Sequence, residues 1–121
     1  MNIFFTVAAI LFIVLGIAHS YLGERYILIP LFKRGHLPKI FNSELLTERT
    51  LRFAWHVTTV AWFALAAILF ALNMISPRVS IARVITLASF GSFVLALIVT
   101  RGKHFSWVVF LAISLAVWLG T

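Results

Sequence analysis

The chain has 121 residues, 63% hydrophobic and 11% charged, with a mean hydropathy of +1.10, too apolar for a soluble domain of that length to keep a wettable surface. The net charge of +7 arises from 10 Lys and Arg against 3 acidic residues; in an integral membrane protein this excess marks loops facing anionic headgroups, not a nucleic-acid partner. With no cysteine, disulfides, thiolate metal sites and thiol redox chemistry are excluded.

The first 23 residues carry no formal charge, and 3–18 is almost continuously apolar, which predicts a transmembrane helix over about 3–25. No Lys or Arg precedes the apolar run, so it reads as a retained span and not a signal peptide. Gly16, Ser20 and Glu24 recur every four residues and form a narrow helical face open to close packing. Pro30 is expected to end this helix near Ile29, because its ring and missing N–H disrupt the helical ladder. A basic connection follows, holding Lys33, Arg34, Gly35, His36 and Lys39, and Asn42 or Ser43 is placed to cap the next helix.

The second span is predicted over 44–75. Its first turns carry Glu44, Glu48, Arg52 and His56 on one stripe, running from the interface into the membrane. Between Arg52 and Arg78 lie 25 residues without formal charge, more than the roughly 20 needed to cross the hydrocarbon. Asn73, Ser76 and Pro77 form a turn, and Ser80 is expected to cap a third helix over 81–100. Ala82, Thr86, Ser89, Phe93, Ala96 and Thr100 give that helix a packing face made mostly of small residues. Arg101, Gly102 and Lys103 make a tight turn, and 104–120 is the fourth span, with Trp107 at interfacial depth. The tetrads Lys33-Arg34-Gly35-His36 and Arg101-Gly102-Lys103-His104 echo each other, but such residues are ordinary contents of interfacial loops and carry no duplication on their own.

The expected architecture is therefore an all-α, multi-pass, four-transmembrane-helix bundle forming a single domain. The side with the first and third loops holds Arg25, Lys33, Arg34, Lys39, Arg49, Arg52, Arg101 and Lys103, while the other holds only Arg78 and Arg83. The positive-inside rule makes the first side cytoplasmic and puts both termini outside, in the inner membrane if the chain is bacterial. Every glutamate and histidine falls on the same side.

Ionisable groups at membrane depth cost about 2–4 kcal/mol each, so they face a protein interior or a partner. His19, His56 and His104 come from three helices at similar depth, with Glu24, Arg52 and Glu48 near them. The basic surplus points first to a binding or accessory subunit for an anionic lipid headgroup or small anion, held by Arg52, Arg101, Lys103 and Arg25. A second reading uses His19, His56, His104 and Glu24 for a transition metal, or two of the histidines for a b-type haem, although separations of 37 and 48 residues are no ligand motif. A third is an interfacial cluster that only anchors helices. Catalysis is not excluded, since a His and Glu pair suits proton transfer, but nothing in the sequence shows a nucleophile: Ser20 is the only serine close to the cluster, and there is no Gly-x-Ser-x-Gly elbow or phosphate loop. A transport pathway would require a homo-oligomer, because one such bundle has little room for a channel.

Overall fold

The computed structural model describes residues 2–74 and 77–119. The regular elements among them are helical: α1 (Ile3–Gly23), a π-helical segment (Glu24–Leu28), α2 (Ile29–Arg34), α3 (Glu44–Ala71), α4 (Pro77–Thr100) and α5 (Ser106–Leu119). The expected helix ends at 75 and 120, and Ser76 of the turn, lie outside the described residues.

α1 begins at Asn2, whose side chain accepts the Phe4 N–H at 3.0 Å, while its own N–H donates to Asn73 Oδ1 at 3.0 Å. That second bond ties the start of α1 to the end of α3 in the antiparallel pair. Contrary to expectation, the helix does not stop at Pro30. The backbone widens into a π turn just before it, with the Ile29 N–H reaching back to the Glu24 carbonyl, and the ladder is already displaced where the proline ring would crowd it. Ile3–Arg34 is consequently one helical rod of 32 residues. Gly35 ends it at φ 70° and ψ −159°, a conformation that essentially only glycine adopts without strain.

The connection to α3 closes through a tight turn in which Ile40 and Ser43 exchange backbone hydrogen bonds at 3.0 and 3.3 Å. Phe41 and Asn42 occupy its centre, both at positive φ (47° and 62°), as a type I′ turn requires. Ser43, of the two expected candidates, is the cap, accepting the Leu46 N–H at 3.2 Å. α4 starts at Pro77 and not at 81, because a first-turn proline lacks an N–H that would be unpaired there anyway. α4 ends in a left-handed Arg101 (φ 50°) and Gly102 (φ 74°), whose N–H donates to the Leu97 carbonyl at 3.1 Å. The Trp107 indole N–H then donates to the Gly102 carbonyl at 3.2 Å and sets the corner into α5.

α3 packs against α1 on one side and α4 on the other, and α5 packs on α4. Most buried positions are small or weakly polar, among them Ala9, Gly16 and Gly23 on α1, Ala66 on α3, Thr86, Ala96 and Thr100 on α4, and Ser114 on α5, whose hydroxyl donates to the Thr86 carbonyl at 3.0 Å; Leu28, Leu46 and Phe53 are the large side chains buried with them. Many of the large side chains, such as Ile10, Leu11, Val14, Leu87 and Ile98, point outward. A water-soluble core has the opposite distribution; lipid makes this one favourable, since close backbone approach and not apolar burial drives helix association there. Three helices, Ile3–Arg34, Glu44–Ala71 and Pro77–Thr100, are long and apolar enough to cross a membrane. Among the described residues α5 has 14, about 21 Å at 1.5 Å each.

Candidate functional site

Because α1 and α3 are antiparallel in a fixed register, the Gly16, Ser20, Glu24 face of one meets the Arg52, His56, Thr59 face of the other. The glycine permits this. A Cβ at Gly16 would lie 2.7 Å from Phe63 Cε1, so a larger residue would push the helices apart.

Glu24 sits where the π turn begins, and its carboxylate is the centre of the site. Oε1 accepts from Arg52 twice, from Nε at 2.9 Å and Nη2 at 2.7 Å, while Oε2 accepts from His56 Nε2 at 2.9 Å. The helix continuing past Pro30 brings Phe32 to the other side of the guanidinium, with Cζ 5.0 Å from the ring centroid, a cation–π contact. Among the described residues, the carboxylate ion pairs are those of Glu24 with Arg52 and His56.

A hydrogen-bonded chain leads away from the carboxylate. Ser20 Oγ lies 2.9 Å from His56 Nδ1 and 2.6 Å from Thr59 Oγ1, and the Thr59 hydroxyl is 3.3 Å from the Gly16 carbonyl. The carboxylate can only accept, so His56 Nε2 carries a proton. In neutral His56 the other nitrogen is then an acceptor, which takes the Ser20 hydroxyl proton, and Thr59 donates to Ser20. In protonated His56 the chain runs the other way: Nδ1 donates to Ser20, Ser20 to Thr59, and Thr59 to the Gly16 carbonyl, while Nε2 donates to Glu24 as before. The chain is satisfied in both states.

Ser20, Thr59 and Glu24 also line a groove of about 790 Å³ between α1 and α3, whose apolar walls include Ile17, Ile29 and Phe63. Arg25 and Tyr21 stand in the same groove, joined by a 3.1 Å bond from Arg25 Nη1 to the phenol oxygen, and the guanidinium also lies 5.7 Å from the Tyr26 ring centroid.

The other residues singled out in the sequence lie elsewhere. His19 packs between helices: its ring stacks on Trp55 (centroids 4.6 Å apart, planes 1° from parallel), meets Trp62 at 4.8 Å and donates from Nε2 to the Trp55 carbonyl at 3.2 Å. The Trp55 indole N–H returns a bond to the His19 carbonyl at 2.9 Å. His104 belongs to the α4–α5 corner, 5.9 Å from the Phe53 ring on an adjoining face of α3, with Nδ1 accepting the Ser106 N–H at 3.3 Å. Arg101 and Lys103 flank that corner and are exposed. The structure thus joins Glu24, Arg52 and His56 and leaves His19 and His104 apart; among the described residues no three His, Asp or Glu side chains come together as a metal site would require. Sequence reasoning missed Thr59, Trp55 and Phe32. Thr59 was findable, one turn beyond His56 on the same stripe. Comparison with protein-family models, curated proteins and solved structures finds no match for this chain.

Proposed function

We propose that this protein is a membrane-embedded binding subunit for an anionic amphiphile. The acyl chain lies along Ile17, Ile29 and Phe63, and the anionic head meets Arg25 and Tyr21. The observation that supports this is the groove itself, a largely apolar channel between α1 and α3 with one cation among its lining residues. Of the four basic residues expected to hold an anion, Arg52 is engaged by Glu24, and Arg101 and Lys103 belong to the α4–α5 corner. Arg25 is left. Glu24 and Arg52 cancel each other's formal charge, so Arg25 gives the groove a net positive end, and guanidinium donors match carboxylate and phosphate oxygens. A haem or metal reading is less well supported, because His19 and both nitrogens of His56 are committed to protein partners.

Binding is tested with purified protein in detergent and a dansyl-labelled fatty acid, beside the matching dansyl fatty alcohol. The acid is expected to bind more tightly, and Arg25→Gln to weaken it by about tenfold, the ~1.4 kcal/mol of one charge-assisted hydrogen bond, without affecting the alcohol. Competition by inorganic phosphate would move the ligand class from lipid headgroups to free anions. Equal binding of acid and alcohol would sink the role of Arg25.

The same reading includes the four-span topology, with the loops before α3 and before α5 in the cytoplasm. Its support is the concentration of basic residues at that end. A reporter fused after Thr121 is expected to be active only outside the cytoplasm, and cytoplasmic activity would reverse the orientation.

A further inference from the structure

We infer that Ser20 is a nucleophile toward acyl esters held in the groove, with His56 as its base and Glu24 as the group that orients the base. The inference rests on the amphiphile reading to the extent that the same apolar walls would place the acyl chain. Its own support is geometric. Nucleophile to base is 2.9 Å, base to carboxylate is 2.9 Å, and both lie within the 2.6–3.2 Å reach that such an arrangement needs. The carboxylate is itself held by Arg52 through two donors, at 2.7 and 2.9 Å, so the imidazole has one preferred orientation. Here the nitrogen facing the serine is Nδ1 and the one facing the carboxylate is Nε2, the reverse of the familiar serine-protease arrangement; the roles follow from geometry and not from which nitrogen plays them.

The step balances without any further reactant than water. Ser20 Oγ forms a bond to the ester carbonyl carbon, the π pair moves onto the carbonyl oxygen, and the hydroxyl proton passes to His56 Nδ1. When the carbonyl re-forms, the bond to the alcohol oxygen breaks, and that oxygen takes the proton from His56. Water then attacks the acyl-serine, giving its proton to His56, which returns it to Ser20 Oγ as the fatty acid leaves. The imidazolium formed midway is paired with Glu24 throughout. The backbone N–H groups of a helix interior are committed to the helix, so the oxyanion falls to side-chain donors, and the Thr59 hydroxyl next to Ser20 and the Arg25 guanidinium are among those that line the groove. The product is itself an anionic amphiphile, the chemistry that Arg25 suits.

The test uses the full chain in detergent, an alkyl fluorophosphonate and intact-mass spectrometry with peptide mapping. The expected result is one adduct per chain on Ser20, with loss of fluoride, and none in Ser20→Ala. His56→Gln keeps an amide able to bond both neighbours but cannot take a proton; its labelling should fall by about 100-fold or more while the thermal melt followed by tryptophan fluorescence stays close to that of the parent. An unlabelled parent protein that still binds dansyl fatty acid would overturn the nucleophile and leave the binding reading intact. Labelling at Ser20 with no fatty-acid affinity would do the opposite. Equal labelling of the parent and of His56→Gln would remove His56 as the base and overturn the inference.

Discussion

Glu24→Ala is expected to lower the unfolding free energy by about 2–4 kcal/mol, because it strands a partly buried guanidinium without its counter-charge. Both Arg52 donors and His56 Nε2 end on this one carboxylate. Arg52 would keep its Phe32 contact, which is worth far less than a paired charge. Glu24→Gln should cost less, since the amide oxygen still accepts one hydrogen bond but carries no charge. The informative variant is the double substitution Glu24→Ala with Arg52→Ala. If the loss comes from an unpaired cation, the double variant is more stable than Glu24→Ala alone, a non-additivity of about 1–3 kcal/mol for groups in direct contact. Unfolding in detergent, followed by tryptophan fluorescence, compares the parent, Glu24→Ala, Arg52→Ala and the double variant, with Glu24→Gln beside them. Strict additivity would show that the pair is wet enough to contribute nothing and that α1 and α3 are held by packing alone.

How much of this was legible in the sequence depends on which coordinate of the helix is asked about. Depth was readable: the apolar run from 3 and the charge-free run after Arg52 gave two long helices, and four-residue spacing put Gly16, Ser20 and Glu24 on one face and Arg52 and His56 on another. Azimuth was harder. His19 adjoins Ser20, which turns it about 100° around the helix, away from Glu24 and onto the two tryptophans, so histidines at equal depth did not converge. Axial register was readable only coarsely: similar depth put Glu24 and Arg52 near His56, but did not say which side chains pair. Arg52 looked like a ligand for an external anion because nothing in the sequence states that the α1–α3 packing sets the Glu24 carboxylate directly against its guanidinium. Pro30 misled for a related reason: the rule that proline ends a helix assumes an α ladder, and a π turn had already displaced it.

Gly23→Ala is the second large effect, expected to destabilise by about 1–3 kcal/mol, the usual cost of overpacking an interface. A Cβ there would collide with the edge of the Trp55 indole. That ring has little freedom to move aside, since its N–H is bonded to the His19 carbonyl at 2.9 Å and its face is stacked on the His19 ring. Gly91 supplies the contrast: it too is helical, but a Cβ there meets nothing within 4 Å. Gly91→Ala should therefore gain the helix-propensity difference, up to about 1 kcal/mol, with no opposing clash. Both substitutions add one methyl group and receive the same propensity benefit, so the gap between them isolates the contact with Trp55. The Gly23 variant should also weaken the Ser20 chain one turn away, because moving α1 off α3 lengthens the 2.9 Å bond to His56 and the bonds to Glu24 together. Loss of stability in Gly23→Ala, with fluorophosphonate labelling of Ser20 falling in the fraction still folded, is the expected pair of results. If both glycine variants melt like the parent protein, the indole yields to the methyl group, and the tryptophan–histidine clasp does not set the spacing on which the site depends.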